Sequence, residues 1–307
     1  MSGAYTPRPP APTFSPLMKE VALTQIVLEE QVIPGMRLGR HINHDPRSRA
    51  FGVEANAASI SSVLHTRVVP IFDQGNIGSC TGNASVGALG TAPLFDTLPA
   101  SAPHLDEDEA VRIYSAATKV DSFGGSYPPE DTGSDGLSVA KVLKSLGLIS
   151  GYQHAFSLTA ALTALQSYPV ITGVNWYEGM DSPDAHGLVK VSGQLRGGHE
   201  FEVVGVDAEA KTVRCANSWG TSYGDNGYFT MTWSDWDRLL GEQGDVTVLL
   251  PLTVPAPTPT PTPTPVPVPD ADPADEAFAH ILQGWLANKP FFYKDLQRAA
   301  KVWLNTL

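Results

Sequence analysis

A run of alternating prolines constrains the architecture of this chain more than any other feature. Ten prolines fall between Pro251 and Pro273, most of them at every second position. Because proline fixes φ and lacks an amide donor, such a stretch cannot join a sheet or pack into a core. We therefore expect residues 251–273 to form an extended polyproline II linker of roughly 60 Å, at ~3.1 Å per residue, between two folded pieces.

The piece after the linker, residues 274–307, carries two apolar stripes at helical spacing that are separated by Pro290. The pattern predicts a small helical hairpin that is too short to bury both stripes well. Two interpretations stay open. The hairpin is either a marginal mini-domain or dimerisation element, or a docking module that places the main domain on a larger assembly.

The chain begins with a different kind of segment. Five of its first sixteen residues are proline, and the extension that follows contains an arginine cluster at positions 37, 40, 47 and 49. We assign residues 1–60 to a proline-rich tail and N-terminal extension. The alternations, glycine turns and candidate reactive side chains lie in residues 61–250, which are predicted to form the main domain.

Charge and cysteine content exclude several classes of protein. A net charge of −12 argues against a nucleic-acid binder, which needs a basic surface. No apolar run approaches the ~20 residues that span a bilayer. The N-terminus lacks the pattern of a secretory signal, and two cysteines cannot build a disulfide framework. These features favour a cytoplasmic protein or a component of a particle assembled inside the cell, such as a virion.

Helices are predicted in the first half of the main domain and strands in the second half. Helical patterns begin at Cys80, at residue 108 and at Leu137, whereas strand patterns cover 170–174, 199–206, 213–217 and 227–232. This order indicates an α+β fold with two lobes.

Cys80 is the candidate nucleophile. It follows a glycine-bearing turn and begins a predicted helix, and a helix N-terminus lowers the pKa of a thiol. His199 begins one apolar strand and Asn217 closes the next one. If the two strands pair so that these residues lie opposite each other, the asparagine amide can orient the imidazole. The same register places Glu202 opposite Arg214 and predicts an ion pair between them.

These motifs resemble those of papain-like cysteine peptidases. The segment Gln74-Gly75-x-x-Gly78-Ser79-Cys80 is similar to the active-site segment of that family. Gly198-His199 before an apolar strand, followed by Asn217-Ser218-Trp219-Gly220, is similar to its histidine and asparagine motifs, in the same chain order. A fainter similarity begins at Gly133 and Ser134. The resemblance covers roughly residues 61–250.

The resemblance implies a papain-like fold, with a helical lobe, a β-barrel-like lobe and a cleft between them. It implies that Cys80 is the nucleophile, that His199 is its base and acid, and that Asn217 orients the imidazole. Gln74 would form the oxyanion hole, and Trp219 would shield the bond between His199 and Asn217.

The resemblance also implies which residues bind the substrate and where the sequence departs from the family. The substrate-binding residues would be Gly133, Ser134, Gly173, Gly198 and Trp219. Thr81 stands where an aromatic residue usually follows the nucleophile, and Glu200 replaces a small apolar residue. The helical pattern of an inhibitory pro-segment is missing from residues 1–60, so those residues are left as a pro-segment or as a brace. Cys215 has no motif and is expected in the core.

We therefore predict a cysteine endopeptidase that acts on peptides or proteins through an acyl-enzyme thioester, with no cofactor and no metal. Two alternatives keep the same fold. One is a peptidoglycan amidase or isopeptidase with the same triad, and the other is a non-catalytic structural or binding protein.

Overall fold

The computed structural model describes residues 24–252. The predicted linker from residue 253 onward, the predicted helical hairpin and the first 23 residues lie outside this range. The described residues all fall in one compact unit.

The described chain contains five α-helices and nine strands. The helices are α1 (Cys80–Leu89), α2 (Glu107–Ala117), α3 (Gly136–Ser145), α4 (Leu158–Ala164) and α5 (Trp233–Gly241). The strands are β1 (Thr24–Ile26), β2 (Ile42–His44), β3 (Val63–Leu64), β4 (Gly151–His154), β5 (Val170–Tyr177), β6 (Leu195–Asp207), β7 (Thr212–Ala216), β8 (Tyr228–Thr232) and β9 (Asp245–Leu250).

The first lobe is helical, and α1, α2 and α3 enclose its core. Asp106 caps α2 and Asp135 caps α3, each by accepting a hydrogen bond from an amide in the first turn. Gly82 brings α1 close to α2, because a methyl group there would lie 2.9 Å from Cβ of Tyr114 and would overlap the carbonyl of Ala110. This packing fixes α1, and with it Cys80, at the edge of the lobe.

The second lobe is built on an antiparallel sheet whose strands differ in length. Their order is β4-β9-β5-β6-β7-β8, and β3 pairs with β6. Its core contains Trp176, Phe229 and Trp236, all fully buried. Among the described strands the sheet does not close on itself, so the expected β-barrel-like lobe is only loosely a barrel. The order of helices before strands and the two lobes agree with the α+β prediction.

Strands β6 and β7 pair as predicted, but the predicted register between them is wrong. Glu202 lies opposite Ala216, two residues from the expected partner, and the register shifts again between Val203 and Gly205. The ion pair predicted between Glu202 and Arg214 is therefore not formed. The buried carboxylate of Glu202 pairs with Arg67.

Arg214 has another partner. It pairs with Asp225, at 2.9 Å. The difference begins at the hairpin, where Asp207 lies opposite Thr212 and not opposite Glu209 as the expected register requires, and the irregularity near Val203 changes the register by only one residue.

Residues 24–60 pack on the two lobes. Strands β1 and β2 pair with each other, and Gly52 and Val53 bond to the backbone of His154 at the end of β4. Within residues 24–252, no helix is long and apolar enough to cross a membrane.

Candidate active site

Cys80 lies at the first position of α1 and is fully buried. The side chain of Ser79, the residue that precedes the helix, makes no capping hydrogen bond to it. The α1 helix packs against β6, and Glu200 lies close enough to Cys80 to affect the pKa of its thiol. Since Glu200 follows His199 directly, the structure brings the predicted nucleophile and the predicted base together where the two lobes meet.

His199 is held by Asn217 and by aromatic rings. Oδ1 of Asn217 accepts a hydrogen bond from Nε2 of His199 at 2.7 Å, so the predicted contact forms without direct pairing of the two residues across the strands. The indole of Trp219 stacks on the imidazole at 4.7 Å between ring centroids, and Trp176 meets it edge-on at 4.9 Å. Nδ1 of His199 is buried and has no hydrogen-bond partner among the described residues, which leaves it available to a thiol.

Gln74 is buried beside this pair of residues. Its carbonyl oxygen accepts a hydrogen bond from the Ser218 hydroxyl at 2.6 Å, which fixes the orientation of the amide. Its amide nitrogen donates to the carbonyl of Ile77 at 2.8 Å and to the carbonyl of Leu38 at 3.3 Å. A peptide carbonyl from the N-terminal extension thus lies where the resemblance places the oxyanion hole.

Leu38 belongs to a stretch, residues 28–41, that we call the cleft segment. It runs between the lobes and pairs with both of them. Gly39 and Arg40 donate to the carbonyl of Gly198 at 3.1 and 2.9 Å. On the other side, the amide of Ser134 donates to the carbonyl of Gly39 at 2.9 Å. The bridge between Arg40 and Ser134 is parallel.

The three other predicted substrate-binding residues also face the cleft segment. The indole N–H of Trp219 donates to the carbonyl of Arg37 at 2.9 Å. A methyl group on Gly133 would lie 2.5 Å from the carbonyl oxygen of Gly39, and one on Gly173 would lie 2.6 Å from Nε of Arg40. All five predicted substrate-binding residues therefore surround this extended segment.

Ion pairs fold the start of the cleft segment back onto itself and onto the helical lobe. The carboxylate of Glu30 accepts from the backbone of Leu38 at 2.9 Å and pairs with Arg37 at 3.1 Å. Arg37 also pairs with Asp131 at 3.1 Å. Because Asp131 accepts from the amide of Gly78 at 2.9 Å, the segment is tied to the turn that precedes Cys80.

Burial under the cleft segment sets the charge state of the site. Burial, reinforced by the charges of Glu200 and Glu30, raises the pKa of the Cys80 thiol well above its usual range. Burial among aromatic rings, with a smaller contribution from the charge of Arg196, lowers the pKa of His199 to about 3. At neutral pH the site therefore holds a neutral thiol and a neutral imidazole. The thiolate expected at the head of α1 is not the favoured form in this covered state.

The open space of the molecule lies away from the sulfur. A cavity of about 420 Å³ is lined by residues that include Asn43, His154, Gly136 and Asp245. The lining of this cavity does not include Cys80, and residues 28–41 lie in the cleft beside that residue. Across residues 24–252, histidine, cysteine and carboxylate side chains form no cluster of three that could hold a metal ion.

Sequence reasoning did not find the cleft segment. The arginine cluster that includes Arg37 and Arg40 marked the region, but nothing in its local pattern showed where those side chains bind. Trp176 was likewise missed as a wall of the site, because a tryptophan in a buried strand is indistinguishable in sequence from ordinary core. Cys215 is buried in the core beneath the sheet, as expected.

Comparisons with known proteins support the fold assignment. Residues 143–239 match the model of the papain family of cysteine proteases; the match includes His199 and Asn217, whereas Cys80 precedes it. The chain is similar to xylellain, a cysteine protease from Xylella fastidiosa, with a TM-score of 0.58 and 21% identity over 74% of this chain and 100% of that one. A digestive procathepsin L 3 from Tenebrio molitor is similar over 65% of this chain and 73% of its own, with 16% identity and a TM-score of 0.48. Of these two structures, only xylellain is used to support the fold.

Proposed function

The family match and the fold together indicate a papain-like cysteine-type peptidase, and from that premise we propose that the chain is an endopeptidase with Cys80 as its nucleophile. The observation that carries the proposal is the convergence of Cys80, His199 and Asn217 beside a cleft that already holds an extended peptide segment. A cleft that pairs with peptide backbone on both walls is suited to a peptide substrate.

The proposed reaction proceeds through a covalent intermediate. The Cys80 sulfur, its proton transferred to His199, attacks the carbonyl carbon of the scissile peptide bond and forms a C–S bond. The negative charge that develops on the carbonyl oxygen is stabilised by the amide of Gln74 and the backbone N–H of Cys80. His199 then protonates the leaving amine as the C–N bond breaks, which leaves a thioester. Water attacks the thioester, its proton passes to His199, and the peptide acid and the thiol are released.

The hydrogen bond from Gln74 to the Leu38 carbonyl supports this assignment. A peptide carbonyl of this chain already accepts a hydrogen bond from the Gln74 amide nitrogen, at 3.3 Å. In the proposed reaction the carbonyl of a substrate takes the place of the Leu38 carbonyl. The bond between Gln74 and Ser218 keeps the amide nitrogen pointed at that position.

We further propose that the covered state is latent and that the cleft segment is inhibitory. A thiol with a raised pKa beside an imidazole with a lowered pKa is poorly nucleophilic. The segment also occupies the positions that a substrate needs, from Gly198 on one wall to Ser134 on the other. Displacement of residues 28–41 would admit both water and substrate, and it would restore the ion pair of thiolate and imidazolium.

Labelling and hydrolysis with the full chain test the function. An epoxysuccinyl peptide should modify Cys80, and casein should be degraded, at a pH between 4 and 8. The Cys80→Ala variant should lose both activities, while Cys215→Ala, which removes the other thiol, should keep them. Hydrolysis that survives in Cys80→Ala would overturn the proposal. Digestion of purified cell wall without digestion of casein would redirect the same residues to a peptidoglycan substrate.

A further inference from the structure

The side chain of Arg40 enters a pocket beside the predicted nucleophile. Asp245 pairs with its guanidinium, the carboxylate of Glu200 lies close by, Gly173 forms part of the wall, and Asp135 lies near Glu200. We call this space the acidic pocket. Arg40 is only 1% exposed, although it lies on a segment outside the predicted main domain. An arginine is almost never buried to this degree unless its charge is compensated.

The pocket exists because one wall lacks a side chain. A methyl group on Gly173 would lie 2.6 Å from Nε of Arg40, 2.8 Å from Oε2 of Glu200 and 2.9 Å from Oδ2 of Asp245. Any larger residue at this position of β5 would fill the space that the guanidinium takes. The glycine therefore keeps room for a long cationic side chain.

The pocket holds carboxyl oxygens to which Arg40 does not bond. Nη2 of Arg40 pairs with Asp245 and donates to the carbonyl of Gln243 at 2.7 Å. Both carboxylate oxygens of Glu200, and Nε and Nη1 of Arg40, have no hydrogen-bond partner in the described part of the chain. Burial, together with the charge of Asp245, raises the pKa of Glu200. A buried carboxyl group with two free acceptors beside two further carboxylates favours a cation that can bond to it.

The position of the pocket relates it to the proposed reaction. Leu38 presents its carbonyl to Gln74, and Arg40, two residues further along an extended backbone, fills the pocket. Glu200 follows His199 directly, and it lies close enough to Cys80 to affect the pKa of the thiol. Whatever peptide occupies the cleft will thus place a side chain in the acidic pocket at about the second residue from the carbonyl that is attacked.

We propose that the acidic pocket is a specificity subsite that selects arginine at the second residue from the scissile bond, on one side of it or the other. The proposal rests on the proposed endopeptidase function and deepens it. Glu200 binds the planar guanidinium through its two free oxygens, and Asp245 takes the remaining charge. In the covered state Arg40 of the cleft segment occupies the subsite in place of a substrate side chain.

A kinetic experiment tests the subsite with the full chain. Fluorogenic peptides would carry arginine, or its uncharged isostere citrulline, at each of the two positions on either side of the scissile bond. At one of the second positions, arginine should raise kcat/KM by about tenfold or more over citrulline, as expected for a charge-assisted hydrogen bond in a buried site. The ratio is taken within one variant, so a change in the number of active molecules cancels.

Two variants that each remove one carboxylate show whether the preference for arginine over citrulline arises in the acidic pocket. Glu200→Gln should reduce the arginine preference to below about threefold, because it removes the carboxylate and keeps the shape. Glu209→Gln removes a carboxylate on an exposed hairpin and should leave the ratio unchanged. Equal hydrolysis of arginine and citrulline peptides by the unmodified chain, or an unchanged ratio in Glu200→Gln, would overturn the subsite. Failure to hydrolyse any peptide, even after an incubation long enough for the cleft segment to dissociate, would overturn the proposed function instead.

A second measurement tests whether the acidic pocket binds a guanidinium ion, without measuring hydrolysis. In the full chain with Arg40→Ala, methylguanidinium should raise Tm more than methylurea does at the same concentration, because only the ion can replace the missing guanidinium. The difference should disappear when Glu200→Gln is added, and in the unmodified chain, where Arg40 fills the pocket. If Arg40→Ala does not fold, Arg40→Gln replaces it in this measurement. Equal effects of the two compounds would refute a guanidinium site.

Discussion

Gly39 offers the most direct way to open the cleft. It lies in the cleft segment with a φ of +128°, a conformation that other residues rarely adopt. A methyl group on it would lie 2.7 Å from the carbonyl carbon of Gly78 and 2.8 Å from its Cα, and closer still to the carbonyl oxygen. Because the obstacle is backbone in the turn before Cys80, the overlap cannot be relieved by turning a side chain.

The size of the effect follows from two contributions. The φ angle costs a non-glycine residue about 1–3 kcal/mol. Forcing a methyl group into a filled space costs about 1–3 kcal/mol more. A total of about 3 kcal/mol, at the lower end of the combined range, corresponds to a shift of roughly 100-fold in an equilibrium. Gly39→Ala should move the balance between covered and open cleft by at least this factor, since the strain is released when residues 28–41 leave.

The assay is the rate at which an epoxysuccinyl peptide labels Cys80, with the adduct located by mass spectrometry. Gly39→Ala should be labelled about 100-fold faster than the unmodified chain. Gly35→Ala is the matched control, because Gly35 lies in the same segment with a φ of +76° but has no atom within 4 Å of the added methyl. It carries only the strain of a φ near the left-handed helical region, about 1 kcal/mol, and should accelerate labelling by about fivefold. A folded Gly39→Ala chain labelled at the unmodified rate would refute the reasoning.

Two further predictions concern stability. Because the folded pKa of His199, about 3, lies below its unfolded value, the unfolded chain binds more protons between these values, so His199 should reduce stability as pH falls from about 6.5 toward 3. His199→Gln should flatten the fall of Tm between pH 7 and pH 4, and the exposed control His186→Gln should not. Arg67→Met should lower the free energy of unfolding in urea by about 3–5 kcal/mol, since it leaves Glu202 buried without its cation. Arg47→Met, which breaks an exposed pair, should cost much less than Arg67→Met, and equal losses would contradict this account.

The local features of the site could be predicted from sequence. The helix expected from Cys80 to Gly90 is observed over Cys80–Leu89, because the preceding glycine turn and the following glycine mark both ends. The contact between His199 and Asn217 was also predicted, although the strand register behind it was not. That register depends on where the hairpin closes, between Asp207 and Thr212, and on an irregularity near Val203, which leaves no mark in the sequence.

The content of the cleft could not be predicted. Residues 28–41 are extended but form no regular helix or strand, so their sequence has no periodic pattern that would predict their conformation. Their place is set by backbone bonds to Gly198 and Ser134, which lie about 160 and 95 residues further along the chain. Backbone pairing of this kind is nearly independent of side chains. The charge states of Cys80 and His199 depend on that coverage, so they too were out of reach of sequence reasoning.

The cleft segment belongs to the same polypeptide as the Cys80 sulfur that it covers, so it acts as a tethered ligand. A tethered ligand faces its binding site at an effective concentration of about a millimolar, whatever the dilution of the protein. Peptides supplied at micromolar concentration will not displace it by mass action. The onset of hydrolysis should therefore show a lag that is set by dissociation of the tethered strand and that does not shorten as more substrate is added.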